Sequence, residues 1–210
     1  AAAIGKTGGR VEAVPLDVTD TSALRAVIDG TAARHGRLDI AFANAGISSG
    51  AGFAMPGGQG IADVSREIWD KILAINLTSV FETVRAASVP MVKRKRGRIV
   101  VTASIAGLHA ETLVGYPYVA AKAGVANLVR QAARELGPHN VLVNAIAPGS
   151  FRTNIAGGRL NDPAVAALWA KQNPLGRIAE PGEIKGLALY LASPASSYLT
   201  GAVIPIDGGA

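Results

Sequence analysis

The chain contains no cysteine, which excludes a disulfide framework, a thiolate metal site and a cysteine nucleophile. Histidine is nearly as scarce. His35, His109 and His139 stand far apart on unrelated elements, so no metal-ligand cluster is expected. Long apolar runs are missing too: no stretch approaches the roughly 20 residues of a spanning helix. The opening Ala1-Ala2-Ala3-Ile4-Gly5-Lys6 lacks the basic-then-apolar order of a signal peptide. These absences point to a cytoplasmic protein without a membrane partner. The net charge is +6, yet the one dense basic cluster, Lys93-Arg94-Lys95-Arg96, has no aromatic residues interleaved with it. Nucleic acid is therefore not an expected partner. The cluster closes a predicted helix, where cations complement the helix dipole and remain in solvent.

What is present is an ordinary α/β composition, 49% hydrophobic and 17% charged with 25 glycines among 210 residues. No repeat, linker or low-complexity tract divides it, so residues 1–210 are expected to form a single domain. Short apolar strands alternate with longer helical patterns. Strands are predicted over Val11–Leu16, Leu38–Ala43, Arg98–Thr102, Val141–Ile146 and Val203–Ile206. Helices are predicted over Ser22–Arg34, Ser65–Lys95 (tightened near Pro90), Pro117–Leu136, Pro163–Gln172 and Pro181–Ala192. Gly5, Lys6, Gly8 and Gly9 read as a helix end and the turn into Val11. Continuous apolar strands alternating with helices imply a doubly wound parallel sheet, Rossmann-like, covered on both faces. Ligands bind beyond the carboxyl ends of such strands. The polar and glycine-rich segments fall there: Asn44-Ala45-Gly46, Ser104-Ile105-Ala106-Gly107 and Pro148-Gly149-Ser150.

Tyr118 and Lys122 are four residues apart at the start of a predicted helix, which puts both on one face. An ammonium beside a phenol favours the phenolate and brings its pKa toward the working pH, making it a usable acid/base. The spacing alone equally describes an ordinary pair on a helix surface. Ser104 stands just after the preceding strand, and Asn76 lies within the long helix before that.

Taken in this order, Asn76, Ser104 and Tyr118-x-x-x-Lys122 resemble the active site of the short-chain dehydrogenase/reductase family. Asn44-Ala45-Gly46 is similar to the family's Asn-Ala-Gly motif. Asp17-Val18 is similar to its adenine-contacting strand end, and Pro148-Gly149-Ser150-Phe151-Arg152-Thr153 to its Pro-Gly-x-x-x-Thr stretch. Asp207-Gly208-Gly209 and Pro174-Leu175-Gly176-Arg177 add two further family habits. The resemblance implies an oxidoreductase that uses NAD or NADP to interconvert a small alcohol and a ketone. It implies that Tyr118 moves the proton, that Lys122 lowers the tyrosine pKa and holds the ribose, and that Ser104 steadies the reacting oxygen. Asn76 would hold a water that extends the relay. Asp17, Val18, Asn44, Ala45, Gly46, Pro148, Gly149, Ser150 and Thr153 would line the cofactor, with no metal. It also implies a homo-oligomer, a tetramer or dimer, packed through Val119, Ala123, Ala126 and Ala133. A carrier-linked 3-oxoacyl reductase with its acidic carrier docked on Lys93–Arg96 is the alternative enzyme. A non-catalytic cofactor-binding or scaffold member is the alternative outside catalysis.

One departure is large. No Gly-x-x-x-Gly-x-Gly turn occurs near the start, so relative to the family roughly 40 to 50 residues, more than one βαβ unit, are absent. We therefore expect a longer protein, or a clipped product held together by neighbouring subunits. Val11–Leu16 would have no adjacent partner strand, and Leu38–Ala43 would be an exposed apolar edge. The glycine-rich stretch Ile47–Gly60 is longer than a minimal connection and reads as a surface loop, with a flap as the alternative. Ser150–Asn173 is expected to close over substrate, with Phe151, Leu160, Leu168 and Trp169 as lining. His109 could border the substrate.

Overall fold

A computed structural model describes Lys6 and residues 8–210. Gly5 of the expected helix end and turn lies outside the described residues, while Gly8 has the φ of 79° that a turn needs. Helix α1 spans Thr21–His35; the Asp20 side chain caps it by accepting from the Ala23 N–H, and Gly36 ends it in the left-handed region. Strand β1 (Ile40–Ala43) follows. The long helical stretch divides into α2 (Arg66–Leu73), a π-turn (Ala74–Thr78) and α3 (Ser79–Arg94). Then come β2 (Gly97–Thr102), α4 (Tyr116–Leu136), β3 (Val141–Pro148), α5 (Pro163–Ala170), α6 (Lys185–Ala192) and β4 (Val203–Ile206).

The four strands form one parallel sheet in the order β1-β2-β3-β4. Its doubly wound character shows in the packing. Val80, Val84 and Met91 of α3 and Val125, Val129 and Leu136 of α4 close over Ile99, Val101, Val143 and Ala145 on one face. Leu191 of α6 covers Val100 and Ile146 on the other. Strands buried on both faces explain the continuous β-branched runs in the sequence. The run Arg66–Arg94 has the length and mean hydropathy, 1.3, of a spanning helix, contrary to the expectation from apolar run lengths alone. Its apolar stripe is spent on the sheet: Val80, Val84, Ala87 and Met91 are all buried there.

Two expectations about the sheet met different fates. β1 pairs only with β2 among the described residues, and Ile40 and Phe42 are 39% and 47% exposed. That is the apolar edge foreseen for Leu38–Ala43. Val11–Leu16, by contrast, forms no strand. β-propensity expresses itself only through a ladder, and no neighbour is offered among the described residues; Val11 and Val14 remain exposed and an Arg34–Glu12 ion pair at 3.0 Å ties the segment to α1. The helix does not tighten near Pro90 either, for Pro90 lies inside regular α3. The irregularity lies a dozen residues earlier, in the wide turn around Asn76.

Candidate functional site

Because the strands are parallel, their carboxyl ends meet along one rim, where Asn44, Ser104 and Gly149 follow β1, β2 and β3. Ser104 caps a short 3₁₀ turn, Ile105–Gly107, its hydroxyl accepting from the Ala106 N–H at 3.2 Å. That turn packs directly on α4. A Cβ on Gly107 would stand 2.3 Å from the Lys122 carbonyl oxygen, so only glycine lets the turn approach the helix so closely. Pro117 in the first turn of α4 fixes the helix start. The result brings Ser104, Tyr118 and Lys122 to one wall of a cavity of about 810 Å³.

Lys122 is 3% exposed. Its Nζ donates to the Thr102 carbonyl at 2.7 Å and sits 5.7 Å from the centre of the Tyr118 ring. The Thr102 hydroxyl donates to Asn44 Oδ1 at 2.8 Å, so the end of β1 is laced to the end of β2 and through it to Lys122. Burial lowers the Lys122 pKa to about 8. Burial also pushes the Tyr118 phenol above its ordinary value, while the Ser104 hydroxyl draws it back down. The two largest influences on the phenol here are burial and the Ser104 hydroxyl. The ammonium donates to a backbone carbonyl and faces the ring.

Asn76 is fully buried in the π-turn and does not line the cavity. Its Oδ1 accepts from the Ile47 N–H at 2.8 Å and its Nδ2 donates to the Ile47 carbonyl at 2.7 Å. The side chain expected to hold a water is engaged at both ends, as a clamp on the segment after β1. This clamp sets Gly46 beside Lys122: a Cβ there would lie 3.3 Å from Asn76 Oδ1 and 3.8 Å from Lys122 Nζ. The loop from Ile47 to Gly60 then crosses the segment before α4, with Gly52 donating to the Leu113 carbonyl and Ala54 to the Thr112 carbonyl. It forms a cavity wall, contributing Met55.

Of the other expected residues, Asn44, Gly46, Pro148, Gly149, Ser150 and Thr153 line the same cavity. Val18 and Ala45 line a second, smaller groove of about 250 Å³ against β1, and Asn44 borders both. Asp17 lines neither; its carboxylate accepts from the Thr19 N–H and hydroxyl, which hold its pKa below the usual value. Phe151, Leu160 and Trp169 belong to the cavity wall but Leu168 does not, being turned outward on α5 at 38% exposed. His109 is exposed and lies off the cavity. Sequence reasoning passed over Thr102 and Ile47, whose backbone groups hold Lys122 and Asn76. Backbone donors and acceptors carry no residue signature, so no motif marks them.

A nicotinamide dinucleotide is tested against this geometry by its donors. Lys122 spends one of its three N–H groups on Thr102 and has two left for a ribose diol. The side-chain-free Gly46 leaves the approach to that ammonium open, and Pro148 offers a face without an N–H donor. The nicotinamide and ribose half of the cofactor fits. No glycine-rich strand-to-helix turn borders either cavity among the described residues.

A family model described as enoyl-(acyl carrier protein) reductase matches residues 1–210. The chain is similar to cyclohexanol dehydrogenase of Rhodococcus sp. (strain TK6), 39% identical over 98% of this chain and 75% of that protein. It is similar to a 3-oxoacyl-[acyl-carrier-protein] reductase of Chlamydia muridarum, 36% identical over 97% of this chain and 78% of that one. Among solved structures, carveol dehydrogenase from Mycobacterium avium in complex with NAD superposes with a TM-score of 0.89 at 31% identity, covering 100% of this chain and 78% of that one.

Proposed function

The chain belongs to the short-chain dehydrogenase/reductase family of NAD(P)-dependent enzymes, and from that premise we propose that it interconverts a secondary alcohol and a ketone, with Tyr118 as the general acid/base. The observation that carries this reading is the convergence of Tyr118, Ser104 and Lys122 on one largely apolar cavity at the strand ends. A bound nicotinamide supplies or accepts the hydride. The chain's own residues do the rest. In reduction, Tyr118 Oη passes its proton to the substrate oxygen as charge develops on it, and in oxidation it takes that proton back. The Ser104 hydroxyl donates a hydrogen bond to the same oxygen and steadies it through the transition state. Lys122 would hold the ribose, with its ammonium 5.7 Å from the centre of the Tyr118 ring. Gly46, Pro148, Gly149, Ser150 and Thr153 would line the nicotinamide pocket, and Val18, Ala45 and Asp17 would lie on the adenine side.

Asn76 acts in this scheme as a positioning residue, through Ile47. We read residues 1–210 as one domain of a cytoplasmic homo-oligomer, tetramer or dimer. Ala126 and Ala133 are buried in the chain's own core, so the α4 face available to a partner is carried by Val119 and Ala123. Tyr118→Phe tests the catalytic role: assayed with NADH and NADPH against a panel of ketones, it should cost on the order of 10²–10⁴ in kcat. Unchanged turnover would show that Tyr118 is not the acid/base; no turnover by the unmodified protein with either cofactor would leave a non-catalytic, cofactor-binding role standing instead.

A second reading, a carrier-linked 3-oxoacyl reductase, is favoured by the likeness to the Chlamydia muridarum enzyme and by Lys93–Arg96. That cluster precedes β2 while Ser104 follows it, so a strand length of roughly 20 Å separates them, and Arg94 is partly spent on Asp39 at 3.3 Å. Charge reversal at Lys93 and Lys95 should then weaken turnover of carrier-bound substrate and spare a small ketone.

A further inference from the structure

Beyond the hydroxyls and the ammonium of the reacting end, the cavity is walled by Met55, Leu113, Phe151, Leu160 and Trp169. Apart from Tyr118 and Lys122, only two ionisable side chains line it among the described residues, Glu111 and Arg159. Glu111 is occupied, its carboxylate accepting from the Leu113 N–H at 3.0 Å and folding back on its own loop.

Arg159 differs from the arginines around it. Arg152 donates to Glu180 at 3.0 Å and to the Leu160 carbonyl at 3.1 Å, and Arg177 forms a two-point pair with Glu183. Among the described residues the side chain of Arg159, a partly buried residue, makes no hydrogen bond and no ion pair. Its backbone lies in a turn of defined geometry. Gly157 and Gly158, at φ of 68° and 76°, turn the chain in a way that only glycine adopts without strain. The Arg159 carbonyl accepts from the Asp162 N–H at 3.2 Å, and the Asp162 side chain then caps α5. A turn so built, between a glycine pair and a capped helix, presents an uncompensated cation to an apolar chamber. The planar fork of a guanidinium matches a carboxylate in two hydrogen bonds.

We infer that Arg159 is a specificity-determining residue that binds a carboxylate on the substrate, so that the substrates are apolar hydroxy and keto acids. The carbonyl or hydroxyl to be transformed lies at Tyr118 and the carboxylate at Arg159, with the apolar frame between them. This rests on the reading of the cavity as the substrate site.

The test is isothermal titration of the full chain with hexanoate and with hexanamide, its neutral isostere. Hexanoate should bind about tenfold or more tighter, the worth of one charge-assisted contact. Arg159→Gln should bring the two to parity, and Arg159→Lys should keep part of the difference. Equal binding by the unmodified protein, or a preference that survives Arg159→Gln, overturns the inference. Titration with NADH separates the other source of anion. If Arg159→Gln weakens NADH by tenfold and leaves hexanoate unchanged, the residue serves the cofactor phosphates and the inference fails. Tyr118→Phe should abolish turnover yet keep the hexanoate preference, so the two readings fail independently.

Discussion

Lys122→Met should make the protein more stable at neutral pH while abolishing its activity. In the folded chain burial lowers the Lys122 pKa from 10.5 to about 8. At about 1.4 kcal/mol per tenfold in proton affinity, holding the charged form in place costs about 3 kcal/mol. Methionine fills a similar volume without a charge. It forfeits the 2.7 Å bond to the Thr102 carbonyl, a loss of about 1–2 kcal/mol. The net gain near pH 7 is therefore about 1–2 kcal/mol, or about 3–6 °C in the midpoint for a chain of this size. The pH dependence gives the sharper assay. Between about pH 8 and 10.5 the unfolded chain keeps the lysine proton and the folded chain does not. Unfolding takes up a proton in that window, so stability conferred by the native lysine rises with pH, and the penalty is present in full only below pH 8. Denaturant unfolding of both proteins at pH 7 and pH 10 should show the ranking reverse, with Lys122→Met the less stable at the higher pH. A difference between the two that is the same at both pH values would refute the reasoning.

Two further outcomes follow from the same site. With the Tyr118 pKa raised by burial, kcat/KM for alcohol oxidation, which needs the phenolate, should climb steadily from pH 7 into the alkaline range; reduction, which needs the phenol, should stay level over the same span. A pH–rate profile in both directions checks this, and a flat oxidation limb would count against Tyr118 as base. Gly107→Ala would drive a Cβ to 2.3 Å from the Lys122 carbonyl, so the 3₁₀ turn or α4 must move. We expect a loss of about 1–3 kcal/mol in urea unfolding together with a drop in kcat, because Ser104 and Lys122 ride on the two parts forced apart.

The candidate reacting residues were legible in the chain because they obey local rules. Tyr118 and Lys122 share a face through helical periodicity alone, and Pro117 with the stop at Gly137-Pro138 bounds the helix that carries them. Ser104 follows a β-branched run whose strand character needs no knowledge of its neighbours. The doubly wound class followed from that alternation, as did the exposed edge at Ile40 and Phe42. What the chain by itself could not decide was everything that depends on a partner from elsewhere. Val11–Leu16 has strand-like residues but no ladder to join among the described residues, so it stays irregular. Asn76 clamps Ile47 across 29 residues, and Lys122 finds the Thr102 carbonyl across 20; both pairings use backbone atoms that every residue possesses. The balance of forces on Tyr118 was likewise tertiary, since spacing measures nearness to a charge and only burial measures the water removed. The pairing of Arg152 and Arg177, and the absence of any partner for Arg159 among the described residues, appear only when the segment closes over the cavity.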